Sequence, residues 1–389
     1  MYLILYIESV DFLERIVYLD NSATTKPCKR SVEYINKALT ENWGNPSSLH
    51  SFGFSAELSM NEAREKIAKK ISAETNEIIF TGSGTEANNT AIMAVSNSRA
   101  KKIITSSIEH PSVLETIKKL ELNGFEVVRL SCDKSGVIDL DELENEVDEN
   151  TALVSIMLVN NEVGSVQPIK EAVKIVKSKS AKTLFHCDAV QAFGKMPINV
   201  RNLGIDLMSI SAHKVHGPKG IGGLYCKKGV NLKPFITGGG QERGLRSGTE
   251  STPLIMGFMG AVENLGDINK ELGKIKEINE YARECFEKDD NIFINSPENA
   301  LPFILNISVL GYKSETLLHF LENENIFVSS GSACAKGEQS YVLKALGLDK
   351  PRSDSALRLS FSRDNTKEDI DLLYSALKKA MGKIRRSVK

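Results

Sequence analysis

A lysine, a carboxylate and a thiol stand at three points of the chain where residue type and neighbours suit chemistry. Lys214 closes the run Ile210-Ser-Ala-His-Lys214 and is followed at once by a glycine-rich stretch that reaches Gly223. An amine presented in this way, at the end of an apolar strand, can condense with an aldehyde. Asp188 ends a second apolar run that starts at Thr183, and the amide of Gln191 follows close behind. Pyridoxal phosphate needs this set: a lysine for its aldehyde, an anion for its ring nitrogen and a donor near its phenolic oxygen. Cys334 lies in Ser329-Ser-Gly-Ser-Ala-Cys334, among small residues that give the backbone room to move. Together the three suggest an enzyme that pairs a lysine-bound cofactor with a cysteine nucleophile.

Each of these residues also has an ordinary reading. Asp188 could cap a helix, as aspartates after strands often do, and Lys214 could be a solvated loop lysine. The flanking Ser, His and Gly-Pro-Lys-Gly favour the cofactor role for Lys214, and Asp188 gains its own role only in that company. Cys334 could be an inert core thiol, but its small, polar surroundings are those of an exposed nucleophile. Thr81-Gly-Ser-Gly-Thr-Glu-Ala-Asn-Asn89 turns from strand to helix through two glycines. That exposes N–H groups at a helix N-terminus, where a phosphate is stabilised; a simple tight turn explains it about as well. The lysine of a P-loop and the third glycine of a dinucleotide fingerprint are both missing, which points to a small phosphate and away from nucleotides.

His110, before Pro111, could cap a helix or stack on a flat cofactor and move protons; the company it keeps favours the second. His213 and His216 suggest a metal pair, but a Gly-Pro turn follows and no third ligand is evident, so no metal is expected. Arg358, inside the apolar strand around Ala356-Leu-Arg-Leu-Ser-Phe361, either forms a structural ion pair or grips a carboxylate.

The elements that must position these residues follow a rhythm. Short β-branched runs at 77–80, 102–106, 125–130, 153–158, 183–187, 207–210 and 222–226 alternate with helical patterns at 57–71, 113–122, 140–147 and 169–177. The expected fold is α/β: a mostly parallel sheet covered by helices on both faces, with its ligand site beyond the carboxyl ends of the strands. The polar motifs do follow the strands. After about residue 260 the texture changes to a long charged helix at 263–288, short strands, an amphipathic helix at 314–322 and a terminal helix at 367–385, read as a smaller α+β domain. The domain reading is an N-terminal extension at 1–16, an arm at 17–30 joining the small domain, a large domain at 31–259 and a small one at 260–389.

Composition narrows the class. The 389 residues carry a net charge of -1, with basic and acidic residues intermixed, which argues against a general nucleic-acid or membrane-surface binder. The longest apolar runs are strand-sized, short of the roughly 20 residues a membrane helix requires. Six cysteines, at 28, 132, 187, 226, 285 and 334, lack a CxxC pair, which fits a reducing cytoplasm. The first residues lack the basic start and cleavage site of a signal peptide. They read as an appendage, with Val17 as an alternative start.

The ordered set of motifs resembles the cysteine desulfurases of the IscS/NifS type, a branch of the class V aminotransferase-like, fold-type I pyridoxal phosphate enzymes. The likeness runs from Tyr18 onward. It rests on Tyr18-Leu-Asp-Asn-Ser-Ala-Thr-Thr25, Gly44-Asn-Pro-Ser-Ser48, Thr85-Glu-Ala-Asn-Asn89, Asn160-Asn-Glu-Val-Gly164, Gly238-Gly-Gly-Gln-Glu-Arg-Gly244, Arg246-Ser-Gly-Thr249 and the Cys334 segment. The resemblance implies that Lys214 holds the cofactor, Asp188 pairs with its ring nitrogen, Gln191 bonds its phenolic oxygen and His110 stacks on the ring. Gly84, Thr85, Ser211 and His213 would bind its phosphate, with Thr249 from a second subunit, hence a homodimer. Asn161 would lie at the cofactor and, with Arg358, hold the substrate carboxylate. Cys334 would take sulfur from L-cysteine as a persulfide, leaving L-alanine, and pass it to a protein acceptor.

Two departures stand out. Five residues separate Cys334 from Ser340, fewer than in the IscS form, so a shorter reach is expected and the acceptor stays open between an iron–sulfur scaffold and a tRNA-thiolation protein. Gly82-Ser-Gly-Thr85 replaces the commoner Ser-Gly-Ala-Thr, a tolerable change where backbone groups do the binding. A selenocysteine lyase, a class V aminotransferase and a non-catalytic sulfur-transfer scaffold are the alternatives.

Overall fold

The computed structural model describes residues 15–330 and 339–386. Its main sheet has seven strands, in the spatial order Ile78–Thr81, Gly222–Cys226, Leu207–Ser211, Leu184–Asp188, Thr151–Ser155, Lys102–Ser106 and Glu126–Leu130. All neighbours are parallel except Gly222–Cys226, which runs antiparallel to both of its partners. Five of the seven strands are buried at every residue. That explains why the sequence shows continuous apolar runs there and no alternation.

Three expectations from the sequence shift. The helix expected from residue 57 starts at Ser51, because His50 caps it: its Nδ1 accepts from Gly53 N at 3.3 Å. The early Ser and Gly residues hide this start from a periodicity reading. The strand expected at 153–158 runs over Thr151–Ser155 and pairs on both sides over Leu153–Ser155; beyond it, Ile156 N and Leu158 N still donate to His186 O and Asp188 O as the chain peels away. The long helix expected at 263–288 is shorter, Ile268–Phe286, and Glu263 belongs to the end of a separate helix, Thr252–Glu263. Asn264, Gly266 and Asp267 separate them, and Asp267 Oδ1 caps the second by accepting from Asn269 N at 2.9 Å.

The C-terminal part is built on an antiparallel sheet of Ala356–Ser360, Ile304–Val309 and Ile292–Ile294. Val17–Tyr18 pairs in parallel with Ile326–Phe327, and Asp20 bridges Ser360, so the N-terminal segment is stitched into the C-terminal one. One buried apolar cluster includes Val17, Phe185, Phe258, Phe286, Leu357 and Ala380 and so spans both parts. Residues brought together across this core therefore meet on a stiff scaffold. No helix among the described residues is long and apolar enough to cross a membrane.

Candidate active site

At the carboxyl ends of the strands lies a cavity of about 260 Å³. Gly84, Thr85, His110, Asn161, Asp188, Gln191, Ser211, His213 and Lys214 all border it. The sequence motifs and the family resemblance together single out each of these, from segments scattered over more than a hundred positions. Thr249 lies outside, exposed on the loop at 238–250, and Arg358 stands behind Asn161. Cys334 falls outside the described residues.

Asp188 forms the most elaborated contact. Its Oδ1 accepts from Val190 N at 2.9 Å and its Oδ2 from Asn88 Nδ2 at 2.7 Å. Asn88 Nδ2 also donates to Ser112 Oγ at 2.8 Å, which lies 2.8 Å from His110 Nδ1. His110 does cap the Pro111–Leu122 helix, because Nδ1 accepts from Ser112 N at 3.1 Å. The neutral ring must then carry its proton on Nε2. Burial holds the His110 pKa below its ordinary value; Asp188 opposes this and Lys214 adds to it. Capping and lining the cavity are thus one geometry, and the two readings of His110 are compatible.

Lys214 donates to Ser22 O and, at 2.8 Å, to Ala23 O. Burial lowers its pKa to about 8, with Arg358 contributing and Asp20 and Asp188 opposing. A partly neutral amine is a better nucleophile than an ordinary lysine. Burial lowers the His213 pKa to about 4, with Lys214, Lys219 and Lys195 contributing, so its ring is neutral at pH 7.

The phosphate-side turn is shaped by close approach. A Cβ on Gly84 would meet Val190 Cγ2 at 2.8 Å and Ser211 Cβ at 3.3 Å. Ser83 Oγ caps the Gly84–Met93 helix through Glu86 N, and the first-turn N–H groups of Gly84 and Thr85 have no intrahelical acceptor. Ser211 Oγ and Asn88 Oδ1 are buried and find no hydrogen-bond partner among the described residues. Hydroxyl and backbone donors at a helix N-terminus, a fixed carboxylate and a pKa-lowered lysine around one cavity fit the donor and acceptor pattern of pyridoxal phosphate. Glu86 ties this turn to the exposed loop, accepting from Gly82 N at 2.8 Å and from Arg246 Nε at 2.9 Å.

Of the two readings of Arg358, the structural ion pair is present. It pairs with Asp20 at 2.8 Å and donates to Asn161 O at 3.2 Å, while its Nε is buried with no partner among the described residues. Both edges of the Cys334 segment reach this region. Ser329 exchanges backbone hydrogen bonds with Arg358, and Ser340 Oγ donates to Glu162 Oε2 at 2.5 Å. Next to it, Tyr341 Oη donates to Glu109 O. In the sequence, Asn88, Asp20 and Glu162 fall within the motifs given above but have no role assigned there, and Ser112 is not singled out. Asn88 was legible in principle, since it lies on the first turns of the helix that starts the phosphate-side motif.

Known proteins resemble the chain over nearly its whole length. The aminotransferase class-V family model matches residues 17–373. A cysteine desulfurase IscS from Dictyoglomus turgidum is 42% identical over 381 residues, covering 96% of each chain. A solved NifS-like protein superposes with a TM-score of 0.90 at 39% identity, covering 95% of this chain and 100% of the other. A structure of SspA in complex with cysteine gives a TM-score of 0.80 at 35% identity, covering 90% of this chain and 100% of the other. The chain belongs to the class V aminotransferase family, in its branch of IscS/NifS-type cysteine desulfurases.

Proposed function

We propose that the chain is a pyridoxal phosphate-dependent cysteine desulfurase that moves sulfur from L-cysteine to Cys334. The observation that carries this reading is the cavity bordered together by Lys214, Asp188, His110 and Gln191. Bound there, the cofactor would supply an electron sink that stabilises negative charge at the substrate Cα. Lys214 is the residue that would hold it and the nearby amine for proton transfer. Asp188, fixed by Asn88, would keep the ring nitrogen protonated. His110 would cover the ring and give or accept a proton at Nε2.

Asn161 and the Nε–H of Arg358 are suited to the substrate carboxylate. The Cys334 thiolate would then attack the substrate sulfur: an S–S bond forms, the Cβ–S bond breaks and the Cβ takes a proton. L-cysteine plus thiol gives L-alanine plus persulfide, with no outside oxidant or reductant. A protein acceptor serving iron–sulfur assembly or tRNA thiolation would collect the sulfur.

A homodimer fits the surface. Trp43, Leu49, Phe52, Phe54 and Leu58 are all more than half exposed and crowd one short stretch of chain. Such a patch marks an interface, and a second subunit there could bring its Thr249 to the phosphate.

The test is product analysis after reconstitution with pyridoxal phosphate. The reading expects alanine and transferable sulfur in equal amounts from L-cysteine. A keto acid without sulfur release would replace it with an aminotransferase.

A further inference from the structure

Lys195 is a buried cation held by an amide and not by an acid. It is 6% exposed, and its Nζ donates to Gln191 Oε1 at 3.1 Å. The ring centre of Phe303 lies 5.8 Å from the same ammonium. Burial pushes its pKa down to about 7, and the charges that act on it, Lys214 and Arg358, are both positive. Glu271 borders the same small cavity but pairs with Arg363 at 3.4 Å. A lysine buried on these terms costs free energy that no ion pair among the described residues offsets. Removing it should therefore not threaten the fold.

The backbone arranges the pair deliberately. Two turns run from Ala189 to Met196, with Phe193 N donating to Ala189 O and Met196 N to Ala192 O. This sets Gln191 and Lys195 four residues apart on one side. Gly194 makes the turn possible: its φ is +72°, and a Cβ would meet Val215 Cγ1 at 2.8 Å.

In its protonated form Lys195 offers donors and no acceptor, so the atom of Gln191 that faces it is then Oε1. Nε2 is thereby turned the other way. It donates to Ser22 O at 3.0 Å, the same carbonyl that receives Lys214 Nζ, and keeps a second hydrogen. Without a cation behind it, the Ser22 carbonyl alone would hold the amide in this orientation.

We propose that Lys195 is a positioning residue for the cofactor: it locks the Gln191 amide so that only N–H groups face the cavity, ready for an anionic ring oxygen. This rests on Gln191 being the partner of that oxygen. A donor there stabilises the oxygen's anionic form, so losing it raises the pH at which the ring system gives up its proton.

The test uses the full-length protein reconstituted with pyridoxal phosphate, as Lys195→Met, Gln191→Ala and the double variant. The readouts are the pH midpoint of the visible absorbance of the bound cofactor and the Tm of the cofactor-free protein. Methionine keeps the length of the lysine stem without its charge, and Lys195→Gln serves if that variant fails to fold. Each single variant is expected to raise the midpoint by about one pH unit, and the double variant no further than the larger single effect. An unmoved midpoint in Lys195→Met beside a shifted one in Gln191→Ala overturns the proposal, whatever happens to Tm. So do shifts that simply add. An unmoved midpoint in Gln191→Ala would remove the role of Gln191 itself, and the proposal with it.

Discussion

The Lys214 side of the cavity and the Arg358 side are assembled in different ways. The first is made mainly from ends of neighbouring strands in one sheet and from turns next to them: His110 meets Ser112, Asn88 meets Asp188 and Gln191 meets Lys195, and the N-terminal segment reaches in only through the carbonyls of Ser22 and Ala23. The second joins the two ends of the chain. Arg358 meets Asp20, 338 positions away, and Ser340 meets Glu162, 178 positions away. A side built on one buried sheet is preorganised by that sheet's own ladder. A side built from distant segments depends on how those segments pack, and it also carries both edges of the Cys334 segment. The chemistry suits this division, because a cofactor must be held still while a sulfur must be received and passed on.

Substitutions on the two sides should therefore separate cofactor effects from substrate effects. The largest effect is expected for Lys214→Ala, which should lower kcat by about 10³-fold or more and abolish the visible absorbance of the lysine-bound cofactor. Asp188→Asn should cost about 10²-fold in kcat while the cofactor stays bound, since one electrostatic partner is lost and the cavity shape kept. Arg358→Lys breaks the comparison from the other side. It keeps the charge beside Asp20 but loses the planar fork, so KM for L-cysteine should rise about tenfold, with cofactor affinity unchanged. A matching loss of cofactor affinity would show that the two sides are not separable.

Glu162→Gln should have the smallest effect on activity, about threefold or less, because an amide oxygen can still accept from Ser340. Its signature is in stability. Burial raises the Glu162 pKa from 4.5 to about 7 in the folded chain, against the Ser340 hydrogen bond and Arg358. Glu109 is raised by burial to about 8. Between pH 4.5 and 7 the folded chain then binds more protons at Glu162 than the unfolded chain does, so stability falls as pH rises through that window. The Gln variant lacks this term. Its Tm should gain on the natural protein from pH 5 to pH 8, and Glu109 should keep part of the decline in both. Parallel Tm profiles would refute the buried proton on Glu162.

Much of the first side was legible in the sequence and little of the second. Asp188 ends an apolar strand and Lys214 closes the short turn, Ala212–Lys214, that follows another; strand ends in a parallel sheet share one edge, so residue type and periodicity are enough to gather them. The order of the sheet was not legible, because fully buried strands look alike along the chain. The reversal of Gly222–Cys226 left no mark for the same reason. Asp20 and Glu162 stand in quoted motifs without a role, since each gains meaning only through a partner far away in sequence. Lys195 reads as one more surface lysine until its burial is known.

The most direct test of sulfur transfer to Cys334 is the mass of the peptide carrying residue 334 after the reconstituted protein has turned over L-cysteine, compared with Cys334→Ala. A gain of one sulfur on that peptide, with alanine formed and both lost in the variant, is the expected result. Alanine formed equally well by the variant, or a peptide without added sulfur, would contradict it.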